Sequence, residues 1–248
     1  MKNVLIAALL LAAPSIGPTA QAQNVPVQFA ALRTPVLTAQ AVLDKHLQAL
    51  GGIEKLSALK TVIVRQTTSA QNQEIPQTLY ILPGKGVRSE MNALGTQIIV
   101  VARADSGWQV NPALYGNGQA VALSARQAKS ASAQADLFGP LVSAQAKGHT
   151  VTYDGDEKME GDLCHKLTVA TSSGGHYTAY VSQKNYMLVK LITKSSEIYY
   201  ADYRSVDGYW FPFVVEVISG GNKASLIDRS FEVNKPADEA LFRMPTGK

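Results

Sequence analysis

Cysteine is nearly absent from this chain of 248 residues. Cys164 is the single one, so an intramolecular disulfide is impossible and a disulfide scaffold is excluded. Aromatic residues are only 7% and charged residues 17%, yet 46% of the chain is apolar, too much for a disordered protein. Charge of one sign is equally scarce. Lys and Arg outnumber Asp and Glu by 23 to 19, for a net charge of +4 and a pI of about 9.0. No basic block suits a phosphate backbone, so no nucleic-acid partner is expected.

The signatures of common chemistry are also missing. There is no His-Glu-x-x-His pair, no Gly-x-Ser-x-Gly elbow, no Walker-type loop and no Gly-x-Gly-x-x-Gly fingerprint. The histidines His46, His149, His165 and His176 are scattered, and although His165 and His176 fall on neighbouring strands, two ligands do not make a metal site. The acidic run from Asp154 to Asp162 puts Lys158 and Met159 at positions five and six, where a calcium loop needs an oxygen ligand and a glycine. It reads instead as a solvated turn between strands. No catalytic residue, metal or cofactor is expected.

Long apolar runs are confined to the beginning. Met1-Lys2-Asn3 carries a positive charge, Val4 to Ala13 is apolar, Pro14 breaks the run, and Ala20-Gln21-Ala22 offers a small-x-small cleavage site. This is the layout of a secretory signal peptide, too short to span a bilayer; the competing reading is a buried N-terminal helix. Cleavage after Ala22 predicts an exported, periplasmic protein, with a flexible leader over residues 23–36 and one domain over 37–248. Cys164 lies in an alternating run, Leu163 to Val169, and is read as a small buried hydrophobe. Pairing it catalytically with His165 fails, because adjacent strand residues point to opposite faces.

What is present is mainly β. A helix over 37–50 places Leu43, Leu47 and Leu50 on one face and ends at Gly51-Gly52; Ile53, Leu56 and Leu59 then suggest a second helical turn. From Thr61 the period becomes two. Strands are expected at 61–69, 77–82, 85–92, 96–103 and 107–110, then at 150–153, 163–171, 176–182, 186–193, 197–205, 210–219 and 224–233. Ala104-Asp105-Ser106-Gly107, Asp154-Gly155, Gly174-Gly175, Asp207-Gly208 and Gly220-Gly221-Asn222 are read as tight turns. So many short strands imply a large, strongly curved antiparallel sheet, and the lack of strand–helix alternation excludes a doubly wound fold. Between its halves, Ser124-Ala125-Arg126-Gln127 has capping-box spacing. The helix it opens is expected to run to Leu137-Phe138 and stop at Gly139-Pro140. With an interior of Ala, Ser, Gln, Lys and Arg it is either a loosely held lid or a rigid plug on the concave face.

Four stretches carry a resemblance. They are Ala49-Leu50-Gly51-Gly52-Ile53-Glu54-Lys55-Leu56; Ser106-Gly107-Trp108 with Asn111-Pro112; Ala201-Asp202-Tyr203-Arg204-Ser205-Val206-Asp207-Gly208-Tyr209-Trp210-Phe211-Pro212; and Val233-Asn234-Lys235-Pro236 through Leu241-Phe242 to Met244-Pro245. In order and spacing they resemble the LolA/LolB-like superfamily of periplasmic lipoprotein carriers, in a divergent branch like that of the outer-membrane lipoprotein-sorting proteins. The resemblance implies an unclosed β-barrel whose concave apolar face, covered by the N-terminal helix and a central lid helix, binds acyl chains. It also implies inner- or outer-membrane proteins that load and receive the cargo, although no stretch matches the partner-contacting residues of the named chaperones. A monomer is expected.

On that reading the protein is a non-catalytic carrier of lipid or lipoprotein acyl chains. Tyr80, Ile99, Trp108, Leu137, Phe138, Tyr200 and Phe213 are the expected wall of its cavity and lid. Two alternatives stay open: an envelope interaction or sensor domain whose cavity is filled by its own side chains, and an enzyme on the same fold. Which strand face is concave is also open, since Ile98-Ile99-Val100-Val101 is apolar on both.

Overall fold

Alternating β-branched residues pair with their immediate neighbours when short turns join them, and here nearly every turn does so. In the computed structural model, residues 37–245 are described apart from 94, 117, 160 and 173; the expected signal peptide and leader lie outside the described residues. A first meander comprises β1 (Val62–Ala70), β2 (Gln73–Leu82), β3 (Gly86–Ala93), β4 (Thr96–Arg103), β5 (Ser106–Val110) and β6 (Ala120–Ala122). The second comprises β7 (Thr150–Met159), β8 (Asp162–Ala170), β9 (His176–Ser182), β10 (Leu188–Ile192), β11 (Ser196–Val206), β12 (Tyr209–Ser219) and β13 (Asn222–Val233). Antiparallel pairing of β1 with β13, Val62 opposite Val233, joins both into one 13-stranded sheet whose edges are β6 and β7. The sheet is not closed: it is an open, curved β-barrel.

Three strands differ from expectation. β6 is too short to leave a periodic signal. β2 begins at Gln73 because Gln71 and Asn72, with φ of 50° and 60°, make a two-residue hairpin turn with both central residues left-handed. β7 runs through Asp154-Gly155, which is a one-residue register slip rather than a turn. The acidic run is therefore mostly strand rather than turn, and three of its carboxylates pair across the ladder, Asp154 accepting from Thr168 at 2.6 Å, Glu157 pairing with Lys166 at 2.8 Å and Asp156 with His165 Nδ1 at 2.9 Å. His176 stands opposite Ala170, five positions along β8 from His165, so the two histidines stay apart. Among the described residues no group of three or more His, Cys, Asp or Glu could hold a metal.

One sheet face is covered by helices. α1 (Ala39–Ala49), capped by the Thr38 hydroxyl accepting from Ala41 N, buries Val42, Leu43 and His46. α2 (Ile53–Ser57) buries Leu56, leaving Ile53 44% exposed. A single turn, α3 (Pro112–Tyr115), precedes β6. α4 (Ala125–Ser132) has the expected capping box, with Ser124 N donating to Gln127 Oε1 at 3.0 Å. It ends well before Leu137-Phe138. The Ala135 carbonyl, at the end of a 3-10 turn, is taken by Gly84 N at 3.0 Å, and the Ser132 hydroxyl donates to the Ala104 carbonyl at 2.8 Å. The Ala135 carbonyl and the Ser132 hydroxyl thus tie the end of the helix to sheet turns, and the chain then crosses the sheet without regular structure to β7. The insert from 123 to 149 therefore links the two edge strands.

Alternation defines the faces. Val62, Val64, Leu79, Ile81, Phe211 and Phe231 cluster with Leu50, Leu56, Ala135 and Val142. A second cluster joins Val42 and Leu43 of α1 and Leu141 of the insert to Leu167, Val169 and Val181. This helix-covered side is the inner face. Residues of opposite parity, Val101 and Trp108, pack with Phe242 of the C-terminal 3-10 turn Glu239–Phe242 on the outer face. No helix among the described residues is long and apolar enough to cross a membrane.

Candidate functional site

A β-strand shows alternate residues to one face, but β11 breaks this rule in mid-strand. Asp202 is left-handed, φ 53°, so Tyr200 and Tyr203 both reach the inner clusters. There they meet the insert over β12 and α1. The result is a small chamber, about 100 Å3, lined by His46, Leu137, Phe138, Tyr200, Tyr203 and Phe211 among others. Phe138 stacks on Phe211 at 6.1 Å between centroids, Phe211 on Phe231 at 4.4 Å, and Phe213 tilts onto Phe231 at 5.2 Å. One aromatic row thus runs from the insert into the sheet.

Polar groups at this level are few. The Tyr203 hydroxyl donates to the Leu188 carbonyl at 2.9 Å, and burial raises its pKa. Burial pushes Tyr200 up to about 12, so both phenols are neutral at pH 7. His46 directs Nδ1 to the Tyr186 carbonyl at 2.7 Å. Arg229 donates Nε to Gln66 Oε1 at 3.0 Å and Nη1 to the Pro212 carbonyl at 2.6 Å, and lies over the Phe231 ring. Burial lowers its pKa to about 10, still charged at neutral pH. Gln66 passes the network on to Gln77 at 2.7 Å, and Gln77 to Ser89 at 2.8 Å. This polar strip borders the apolar layer on β13, β1, β2 and β3.

The seven residues expected in the wall divide in two. Leu137, Phe138 and Tyr200 line the chamber together, and Phe213 reaches it through Phe231 and Phe211. Tyr80, Ile99 and Trp108 are on the outer face, packed around Val101 and Phe242. Trp108 Nε1 donates to the Phe242 carbonyl at 3.3 Å, and the Arg88 guanidinium, bonded to the Leu241 carbonyl at 2.7 Å, lies over the indole. The cause is parity: Leu79 and Ile81 face in, so Tyr80 faces out, and Trp108 opposite Val101 follows it.

His46 and Arg229 are the chamber-level residues that sequence reasoning passed over. His46 stands three residues after Leu43 and four before Leu50, in the stripe α1 buries, and that spacing was the available signal. Arg229 carried none, because the left-handed Asp228 (φ 51°) beside it opposes the simple alternation of β13. A wider cleft, about 570 Å3, opens around Cys164, Ser182, Lys190, Tyr199 and Glu216 and shares Tyr200 and Tyr203 with the chamber. Its walls are half polar and carry the Lys190–Glu197 ion pair at 2.8 Å, which suits an apolar ligand less well than the inner face. Cys164 itself is fully buried, and burial raises its thiol pKa.

No family model and no curated protein matches the sequence. Solved structures do match by shape. A LolA superfamily protein from Nitrosomonas europaea is 14% identical, with TM-score 0.57 over 84% of this chain and 99% of that one. An outer membrane lipoprotein-sorting protein domain from Vibrio parahaemolyticus is 16% identical, with TM-score 0.57 over 83% of this chain and 98% of the other. A DUF1329 family protein from Desulfovibrio piger is 13% identical, with TM-score 0.53 over 83% and 97%. At these identities the likeness is one of fold.

Proposed function

On this LolA-like fold, we propose that the chain is a periplasmic, non-catalytic carrier that holds lipid, or the acyl chains of lipoproteins, against its inner face. One observation carries the proposal: the insert that roofs the inner apolar layer is fixed there by few large side chains. α4 buries only Ala128, and the remaining grip comes from Leu137, Phe138, Leu141 and Val142. Four such side chains, Leu137 and Phe138 only partly buried, are worth at most about 6–12 kcal/mol at ~1.5–3 each. A chain of about a dozen methylenes gains on the order of 10 kcal/mol at ~0.8 each, before association costs. The two are closely matched, so an acyl chain can displace the insert and be displaced by it in turn.

The chamber as it stands has room for about three waters at ~30 Å3 each. Loading a whole chain therefore requires residues 133–148 to move. The signal-peptide layout of residues 1–22 supports the periplasm as the compartment, and membrane proteins that load and unload the cargo complete the reading. The filled aromatic row Phe138–Phe211–Phe231 favours a second reading, an envelope sensor domain whose own Phe138 is the permanent occupant.

Phe138→Asp separates them. In a carrier it weakens binding of a fluorescent fatty acid by about tenfold or more, while circular dichroism and melting stay close to wild type, because Phe138 is only partly buried. Unchanged binding would remove Phe138 from the site. Binding by neither protein would favour the sensor.

A further inference from the structure

His46 is 2% exposed and lines the chamber, yet only half of its ring is satisfied. Nδ1 sits 2.7 Å from the Tyr186 carbonyl, an acceptor, so Nδ1 carries the proton and donates. Tyr186 is itself held by Lys45 Nζ donating to its hydroxyl at 3.0 Å. In the neutral ring Nε2 is then a lone-pair acceptor. It is buried and has no hydrogen-bond partner among the described residues. Burial also lowers the pKa of His46, which keeps the ring neutral and Nε2 an acceptor at pH 7.

The rest of the chamber narrows the chemistry. Its lining has no lysine or arginine, and Arg229, the cation nearest its tyrosines, is committed to Gln66 and the Pro212 carbonyl. Its carboxylate, Asp136, is bonded to Lys147 at 2.8 Å. Tyr203 is committed to Leu188, whereas the Tyr200 hydroxyl makes no hydrogen bond to the described residues. What remains is an apolar space beside one unpaired acceptor and one adaptable hydroxyl. That combination is complementary to a neutral donor at the end of an apolar chain, since a buried polar group left unpaired is costly and its pairing is selective.

We propose that the chamber recognises the root of an acyl chain that bears a neutral hydrogen-bond donor, a hydroxyl or an amide N–H, which donates to His46 Nε2. This rests on the carrier reading above and specifies its cargo. The same donor chemistry has two sources, the glycerol hydroxyl of an acylglycerol and the amide of an N-acylated terminus. An ester without a donor would leave Nε2 unpaired.

The test compares three probes of equal chain length, 1-monolauroylglycerol, N-methyl lauramide and methyl laurate, by displacement of a fluorescent fatty acid. Wild type is expected to prefer one or both donors over the ester by about threefold to tenfold. Preference for the hydroxyl alone assigns the glycerolipid source, and for the amide alone the N-acyl source. His46→Asn keeps a donor for the Tyr186 carbonyl but removes Nε2, so the preference should fall to about one. Should that variant not fold, the wild-type 15N signal of His46 Nε2 decides: it moves upfield with the donor probe and not with methyl laurate. Equal affinity for all three probes, or an unmoved Nε2 signal, overturns this inference and leaves the carrier intact. Failure of every probe, fatty acid included, to bind overturns the carrier reading instead.

Discussion

Single residues decide where polarity is tolerated inside this sheet. His46, neutral because burial disfavours its charge, has a folded pKa below its unfolded value near 6.5. The unfolded state then takes up a proton first as pH falls. Stability is accordingly expected to decline as pH drops below about 6.5 toward the folded pKa. Melting curves between pH 7.5 and 5.5 should show this decline, and His46→Asn should flatten it. A slope unchanged in the variant would place the protonation elsewhere. In the sequence, His46 was one of four scattered histidines; only the packing of α1 on β10 and the insert reveals that its ring has one nitrogen to spare. Aromatic positions were legible as a class, but their face was not. Tyr80 and Tyr200 look alike in alternating runs, and parity relative to the helices, a tertiary fact, sends one out and the other in.

Elements show the same division between local and distant causes. The α4 start was readable because a capping box is a contact between residues three apart, Ser124 and Gln127. Its end was not, because Gly84 and Ala104, distant turns of the sheet, capture the groups at 135 and 132. Beyond that point Lys147 holds the insert's fold together, bonding Asp136 and the Gly139 carbonyl at 2.8 Å. The pair is partly exposed and worth no more than about 1 kcal/mol. Lys147→Ala should therefore speed amide exchange across 136–142 and raise the fatty-acid association rate by about twofold to fivefold, with little change in melting temperature. An unaffected association rate would mean that the insert does not gate entry.

At the scale of the molecule, each hairpin was legible from its turn residues, but the join between halves was not. β1 and β13 lie some 170 positions apart, Val62 against Val233, and nothing local announces such a partner. Ile98 to Val101 could not reveal the inner face because both faces of β4 are covered: Ala102 lies under the insert's cluster and Val101 under the C-terminal turn. The C-terminal stretch in the LolA-like resemblance thereby gains a physical role, since Phe242 closes a second apolar layer over Trp108. Phe242→Ala should cost about 3 kcal/mol and shift tryptophan emission to the red without weakening fatty-acid binding. A loss of binding in that variant would put the ligand on the outer face.

The most direct measurement is to purify the protein from its native cells, denature it and identify the released lipids by mass spectrometry. The carrier account predicts acyl-bearing species in consistent, near-stoichiometric amounts, reduced in Phe138→Asp. A preparation repeatedly free of any acyl species, together with no fluorescent fatty-acid binding, would contradict it.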